Sequence, residues 1–543
     1  MKKVFILAQI LFFSASGISF SQSLSKREII QMESDAYRHY RDLDFHEALP
    51  LYLKLNSLEA NNPKYIFPIG VSYLYFNKVD LAIPYLEACK NKKEIKSASL
   101  DYYLGKAYHL SGQFDKAIQS YTEYKTFFGH KNTKQYKKLY EDIEKEIEYC
   151  KNGLTLYTFP VKVTISNLGP SINSEYPEYG PVVSGDEREI IVTSSRPDTR
   201  GGQRDFHTDG HYFEDLYIST SNGKNWEPLL RMSDSINTND HDASVALSAD
   251  GKNLILYRYT NDVLENGSGD LYISNFHDLK WGNAQKLSFS NQKYWEPSAA
   301  ISNDGKTIVF SSNREQSIGG TDLYMVVQNV KGVWSIPVSL GSTINTSRDE
   351  DSPFLMPDGK TLYFSSKGHN SMGGYDIFIS QLSSETLTWS KPENIGYPLN
   401  TPYDDLHFSW SADGKRMYFS SIRPEGYGDR DIYTAELIKE DVNTIDTLRT
   451  QFSASVRDAR SQAAIEAIMK IYELDNEGAT TSNIRQYTIS MEPSAANSIE
   501  FSIGKKYLIL VEAQGYKPYS ERLDASSTES IPVEKMFSMV KDE

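Results

Sequence analysis

Two histidines and one aspartate lie close together in one stretch of the chain, at His207, Asp209 and His211, next to Arg200 and Arg204. Imidazole and carboxylate side chains at short spacing are zinc ligands in many proteins. This stretch is rich in glycine, however, and has no helical pattern that would fix the spacing of the ligands. We therefore expect no metal here and interpret the stretch as a loop that contacts a partner.

Pairs of carboxylates also recur along the chain, and glycosidases use such pairs as acid and nucleophile or base. Because they return in several copies of a repeat, a structural role in the turns is favoured. A hydrolase that acts on glycans or peptides remains the alternative. The acidic positions concerned are Asp240, Asp242, Glu350, Asp351, Asp404 and Asp405.

Other enzyme signatures are missing from the sequence. There is no Gly-x-Ser-x-Gly nucleophile motif and no His-Glu-x-x-His zinc motif. We therefore predict that the protein is not an enzyme, with no catalytic residues, no bound metal and no cofactor.

Length and charge restrict the class of protein further. The chain has 543 residues and a net charge of −15, which argues against binding to nucleic acid phosphates. Lys2 and Lys3 precede a short apolar run and a small-x-small site, so residues 1–21 are predicted to be a signal peptide. No later run is long enough to span a membrane. The mature protein is expected in the periplasm or at the periplasmic face of the outer membrane.

The chain has only two cysteines, Cys89 and Cys150, both in helical sequence. They could pair in an oxidising compartment, but two separately buried thiols are the favoured interpretation.

Residues 22–153 have helical periodicity and repeat about every 34 residues. Small residues recur where two helices must approach closely, and larger side chains recur between them. This pattern resembles the tetratricopeptide repeat, whose concave groove binds peptides or proteins. Tyr73 and Tyr108 are the candidate groove residues, although packing between helices is the favoured role for any single tyrosine. The three repeated sets are Ala36, Phe45, Ala48 and Tyr52; Gly70, Val79, Ala82 and Leu86; and Gly105, Phe114, Ala117 and Tyr121.

Residues 154–440 carry a longer, strand-rich repeat with Asp-Gly turns, Ser-Ser pairs and tryptophans. A triplet of aspartate, aliphatic residue and aromatic residue occurs five times, beginning at Asp215, Asp270, Asp322, Asp376 and Asp431. Recurrence in every copy points to a structural role for these aspartates. The fifth copy lacks its tryptophan strand, so the strand near Phe159 to Ile165 is predicted to complete it. The unit resembles the TolB-like, WD-type propeller repeat, which implies a five-bladed all-β propeller.

After a polar linker at 441–450, residues 451–543 alternate again. The stretch from Tyr507 to Tyr516 resembles the carboxypeptidase regulatory-like domain, a small β-sandwich that usually packs or binds. The predicted fold class is therefore multidomain: helical repeats, a propeller and a sandwich.

In this order, the modules are similar to those of the PorE-type multidomain envelope proteins of Bacteroidota. That family implies a role in type IX secretion or gliding machinery, and a peptidoglycan-binding domain normally follows the sandwich. This sequence ends at Glu543, soon after the sandwich. Direct peptidoglycan binding is therefore doubtful. The expected function is a non-catalytic scaffold or adaptor that binds protein partners in the envelope, such as an outer-membrane secretion component.

Overall fold

The computed structural model describes the chain in segments. These are residues 24–90, 92, 95, 97–128, 134–205, 211–223, 225–260, 268–438, 449–474, 480–489, 498–502, 505–525 and 534–542. The predicted signal peptide, His207 and most of the predicted linker lie outside the described residues. The chain divides into two compact units, Met1–Lys96 and Ser97–Glu543. Among the described helices, none has both the length and the apolar character needed to cross a bilayer.

The first unit consists of two helical hairpins. Its helices are α1 (Lys26–Arg41), α2 (Phe45–Leu58), α3 (Pro63–Tyr75) and α4 (Val79–Ala88). Ser25 and Glu28 form a capping box at the start of α1, and Asn62 caps α3 ahead of Pro63. A Cβ atom at Gly70 would lie 2.8 Å from Cγ of Leu86, so this glycine lets α3 and α4 approach closely. The small residues of the repeat therefore lie at helix contacts, as predicted.

The second unit begins with three more helices, α5 (Ser97–Leu110), α6 (Phe114–Phe128) and α7 (Lys134–Thr158). The helix α7 continues through the predicted domain boundary at 153/154. Cys89, in the first unit, and Cys150, in the second, are both free and buried, as the separate-thiol interpretation predicts.

Between Val163 and Leu437 the described chain forms five antiparallel sheets, in a propeller-like series. β1 is Val163–Asn167. The first sheet is β2 (Glu178–Val183), β3 (Glu189–Ser194), β4 (Asp215–Thr220) and β5 (Leu230–Arg231). The second is β6 (Asp242–Leu247), β7 (Asn253–Thr260), β8 (Ser268–His277), β9 (Lys280–Trp281) and β10 (Gln285–Lys286). The third is β11 (Ala299–Ile301), β12 (Thr307–Ser312), β13 (Asp322–Val327) and β14 (Val338–Ser339). The fourth is β15 (Glu350–Leu355), β16 (Thr361–Ser366), β17 (Asp376–Gln381) and β18 (Glu393–Asn394). The fifth is β19 (Asp405–Trp410), β20 (Arg416–Ser421) and β21 (Asp431–Leu437), joined by β1.

The pairing of β1 with β21 confirms the predicted closing strand. It is antiparallel, with Val163 opposite Leu437 and Asn167 opposite Tyr433. Neighbouring sheets are also joined by one recurring backbone hydrogen bond. The donor is the N–H of the acidic residue at or just before the first strand of a sheet. The acceptor is the carbonyl of the residue before the aspartate triplet in the preceding sheet. The donor and acceptor pairs are Asp242 and Glu214 (2.9 Å), Glu296 and Gly269 (3.1 Å), Glu350 and Thr321 (2.8 Å), Asp405 and Tyr375 (2.7 Å), and Glu178 and Arg430 (2.7 Å).

The helices α5 and α7 contact the fourth sheet through the loop after β16. Nε2 of His109 lies 2.7 Å from the Met372 carbonyl, and Oη of Tyr149 donates to the Lys367 carbonyl at 2.5 Å. Nδ2 of Asn152 donates to the Ser371 carbonyl at 2.8 Å. The end of the helical array is therefore fixed to the sheets by direct polar contacts.

The C-terminal module has two sheets over one apolar core. Their strands are β22 (Arg449–Asp458), β23 (Ala467–Leu474), β24 (Thr480–Ile489), β25 (Ser498–Ser502), β26 (Lys505–Glu512), β27 (Tyr519–Ala525) and β28 (Glu534–Met539), in the orders β25-β22-β28 and β24-β23-β26-β27. Val456 and Phe537 from one sheet meet Ile471 and Ile509 from the other in this core.

Candidate functional site

Five carboxylates lie at equivalent places, at or just before the first strand of each of the five sheets. We call them the inner carboxylates. All five are fully buried: Glu178, Asp242, Glu296, Glu350 and Asp405. In four sheets an arginine faces the carboxylate, at Arg196 (2.8 Å), Arg258 (2.6 Å), Arg314 (2.6 Å) and Arg423 (3.6 Å). Backbone N–H groups and hydroxyls donate to the other carboxylate oxygen, as Thr238 does to Oδ2 of Asp242 and Thr401 does to Oδ2 of Asp405. These carboxylates therefore tie together the strands and loops of their own sheets.

The fourth sheet departs from this pattern. His369 replaces the arginine, and its Nε2 donates to the Ile344 carbonyl at 2.9 Å. Glu350 accepts hydrogen bonds from Thr346 and from Ser366, both at 2.7 Å from their hydroxyls. Burial raises the pKa of Glu350 to about 7.

Two of the three remaining predicted carboxylates, Asp351 and Asp404, are also engaged within the fold. Asp351 accepts from the Ser298 hydroxyl and from the Ser352 amide. Asp404 accepts from the Tyr375 amide at 3.0 Å and faces Arg430 at 3.4 Å. The structural role predicted for most of these acids agrees with these contacts.

The triplet aspartates behave in the same way. Asp322 accepts from the amides of Ile318 (2.8 Å) and Gly319 (3.0 Å), and Asp431 accepts from the Tyr427 amide at 2.7 Å. Burial raises the pKa of Asp431 to about 6. In the third, fourth and fifth sheets the recurrence of this aspartate thus reflects one loop geometry, in which the amide four residues earlier donates to it.

The single-copy loop of the first sheet, residues 198–205 and 211–214, holds three of the predicted partner-binding residues. Arg200 is used within the fold, because its guanidinium donates to the carbonyls of Asp234 (3.1 Å) and Asn237. Arg204 is exposed, and its guanidinium lies 5.4 Å from the ring centroid of Tyr212. Nε2 of His211 lies 4.0 Å from Oδ2 of Asp429. Arg200 is thus engaged within the fold, Arg204 is exposed and His211 faces Asp429, and a role of this loop in partner binding stays a prediction.

A residue that the sequence analysis missed anchors this loop. His241 places Nδ1 3.1 Å from Oε2 of Glu214 and Nε2 3.2 Å from Oδ2 of Asp205. Burial opposes its charge, but the hydrogen bonds and charges of these two carboxylates raise the pKa of His241 to about 9. The only sign of this residue in the sequence is that the other repeats have proline, tryptophan or aspartate just before the inner carboxylate, where this repeat has histidine.

We expect His241→Leu to loosen the first-sheet loop, because it removes the imidazole that faces both Asp205 and Glu214. Amide exchange in 198–205 and 211–214 should be about tenfold faster, or ~1.4 kcal/mol in opening free energy. His277→Leu, at an exposed end of β8, is the control. Because the pKa is raised in the folded state, the anchoring is complete below the unfolded value and is lost as the pH rises through about 9. Equal exchange in both variants would show that His241 does not anchor the loop.

The two candidate groove tyrosines lie in different environments. Tyr73, in α3, is half-buried with its ring centroid 5.8 Å from that of Tyr85. Tyr108, in α5, is only 2% exposed, with Nζ of Lys116 5.1 Å from its ring centroid. Tyr108 is therefore corrected to a packing residue, because it has no free ring surface for a partner.

The hairpin from the end of β13 to β14 carries five exposed aliphatic side chains, here called the aliphatic strip, which the sequence analysis also missed. Its members are Val327 (45% exposed), Val330 (105%), Val333 (57%), Ile336 (82%) and Val338 (56%). Val333 comes one residue before the tryptophan of its sheet, and Ile336 comes two residues after it. At these two positions the first, second and fourth sheets have Asn225 and Pro228, Lys280 and Asn283, and Thr388 and Lys391. Residues 327–339 contain one charged residue, Lys331, in a chain of net charge −15. Comparing the repeats with one another could have revealed this strip.

No family model matches the chain, and no curated protein matches it. Among solved structures, the type III secretion translocator chaperone SycD of Yersinia enterocolitica is 17% identical, with a TM-score of 0.21, over 25% of this chain and 94% of that one. An α-L-arabinofuranosidase of Podospora anserina is 12% identical, with a TM-score of 0.34, over 52% and 98%. Another, from Lactobacillus brevis, is 15% identical, with a TM-score of 0.34, over 50% and 93%. Likenesses this partial imply nothing about activity or partners.

Proposed function

We propose that the protein is a non-catalytic scaffold that binds a protein partner through the aliphatic strip. The observation that carries this proposal is the exposure of five aliphatic side chains within one hairpin of thirteen residues, from the end of β13 to β14. Exposed apolar patches of this kind mark interaction surfaces, and edge strands are normally protected by charged residues. The partner is a protein with an apolar surface, since the strip has little charge to recognise anything else.

The proposal includes a five-bladed propeller, whose third blade carries the aliphatic strip. The five sheets would be its blades, with β1 completing the last one. Support comes from the recurring backbone bond between consecutive sheets, including the bond from Glu178 to Arg430 that joins the first sheet to the fifth. In this arrangement the outer strand of each blade lies at the rim, where a partner can reach it.

The hydrolase alternative requires a pair of carboxylates that can act on a substrate. The inner carboxylates have instead arginine, hydroxyl and amide partners within their own sheets. That engagement favours the scaffold. Release of product from glycans or peptides by the purified protein would replace the proposal with the alternative.

The proposed setting is the cell envelope. It rests on the predicted signal peptide and on the resemblance to PorE-type proteins, and the proposed partner is an outer-membrane secretion component. The polar contacts between α7 and the fourth sheet support a scaffold, because they hold the last helices and the sheets in a fixed relation.

The test is recovery of a partner from envelope fractions by the tagged mature protein. We expect one protein to be recovered by the wild type and lost with the double variant Val330→Lys, Ile336→Lys. Leu387→Lys, at a 75% exposed leucine of the fourth sheet's outer loop, should recover it normally. Equal recovery by all three proteins would show that the strip is not the binding surface.

A further inference from the structure

A cavity of about 950 Å³ lies between the first and fifth sheets. The turn between β2 and β3 and the loop after β4 form one wall. The strands β20 and β21 form the other wall, and the link from β1 to β2 completes the cavity. We call it the seam pocket. Its volume is in the range of small-molecule sites.

The turn at the pocket contains a residue in a strained conformation. Glu187 has φ +55°, at the place where the other sheets have Gly251, Gly305, Gly359 and Gly414, with φ between +66° and +70°. A residue with a side chain is disfavoured in this left-handed region, and such strain often marks a functional site. Here the carboxylate of Glu187 faces the pocket, where it lies 2.8 Å from Nη1 of Arg416 and accepts from the Tyr418 hydroxyl at 3.3 Å.

The charges in the described lining of the pocket face one another. Arg416 contacts Glu436 at 2.8 Å as well as Glu187, and Nε of Arg188 lies 3.7 Å from Oδ2 of Asp186. With three carboxylates and two guanidiniums in the described lining, an anionic ligand finds no excess of positive charge, and a cationic ligand finds a net charge of only −1. The pocket instead favours a neutral ligand that can both donate and accept hydrogen bonds.

The loop after β4 contributes an aromatic ring and amides. Trp226 lines the pocket and packs on the core residues that include Ile172 and Tyr217, which fixes the indole in place. Asn222 and Asn225 line the pocket beside it. Amide groups match sugar hydroxyls, which both donate and accept, and an indole presents an apolar surface to the C–H groups of a sugar ring.

We propose that the seam pocket binds a short neutral oligosaccharide. This site is separate from the aliphatic strip, so its failure would leave the scaffold proposal standing. Recognition uses the polar lining together with Trp226 and involves no chemical change of the sugar.

The test is saturation-transfer NMR and calorimetry on the mature protein with chitotetraose, cellotetraose and maltotetraose. We expect saturable binding of at least one of them, with Kd on the order of 0.1 mM. Asn225→Ala and Arg188→Ala should each weaken it by about tenfold or more, equivalent to ~1.4 kcal/mol. Lys360→Ala, at the place of Arg188 in the fourth sheet's turn, should leave it unchanged.

Glu187→Gly separates binding from folding. It restores the glycine of the other turns, so the variant should fold with a melting temperature near that of the wild type while the affinity falls. Absence of saturable binding of all three sugars would overturn the proposal. So would binding that is insensitive to the Asn225, Arg188 and Glu187 variants.

Discussion

Arg314→Met should lower the free energy of unfolding of the sheets by about 3–5 kcal/mol, the range for breaking a buried ion pair. Nη2 of Arg314 lies 2.6 Å from Oε1 of Glu296, which is fully buried, and the same nitrogen donates to the Phe289 carbonyl at 3.2 Å. Removing the guanidinium leaves an uncompensated carboxylate in the interior. Urea unfolding followed by tryptophan fluorescence would measure the change.

The matched control is Lys293→Met, which breaks an ion pair with Glu315 at the surface, where both side chains are more than 60% exposed. We expect no measurable change from it. Burial already raises the pKa of Glu296. The loss in Arg314→Met should therefore shrink at acid pH, where Glu296 becomes neutral. A small loss that does not vary with pH would contradict the structural role assigned to the inner carboxylates.

His109→Leu should weaken the attachment of α5 and α7 to the fourth sheet, on the order of 2 kcal/mol at pH 6. Nε2 of His109 faces the Met372 carbonyl at 2.7 Å, and Nδ1 faces Oε2 of Glu146 at 3.2 Å. Both partners accept, so both nitrogens donate and the ring is an imidazolium. Burial opposes this charge, but hydrogen bonds with Cys150 and Glu146 raise the pKa of His109 to about 10.

The pH dependence of this stabilisation follows from the direction in which the pKa of His109 is shifted. Because the pKa of His109 is raised in the folded state, the protonated ring stabilises the fold fully below the unfolded pKa of about 6.5. This stabilisation is lost as the pH rises to about 10. The difference between wild type and His109→Leu should therefore be largest near pH 6 and shrink toward pH 10. Hydrogen exchange of α5 and α7 at several pH values would measure it, with His277→Leu as the exposed control. A difference that grows with pH would exclude the imidazolium.

Periodicity in the sequence predicted the parts of the fold that repeat. Gly70 and Leu86 occupy a helix contact because the repeat sets them there. The missing tryptophan strand of the fifth copy correctly predicted that β1 pairs with β21, although the strand begins at Val163 and not at Phe159. Such features leave a signal because the same local geometry is required several times.

Features that occur once could not be predicted in this way. His241 meets Asp205 and Glu214 only after the first-sheet loop has folded over the second sheet, and His109 meets Met372 across 263 residues of sequence. No spacing rule brings such residues together. Glu187 and the aliphatic strip are different, because each is a departure from the repeat. Comparing the copies for differences, as well as for similarities, would have singled them out.

The most direct test of the scaffold proposal is site-specific photocrosslinking in intact cells that produce the protein. A photoreactive residue at Ile336 should give one discrete crosslinked species with an envelope protein, and a residue at Leu387 should not. Val330→Lys in the Ile336 protein should abolish that species without lowering the amount of the protein. The same species from both positions, or none from Ile336, would contradict a scaffold that binds its partner through the third sheet.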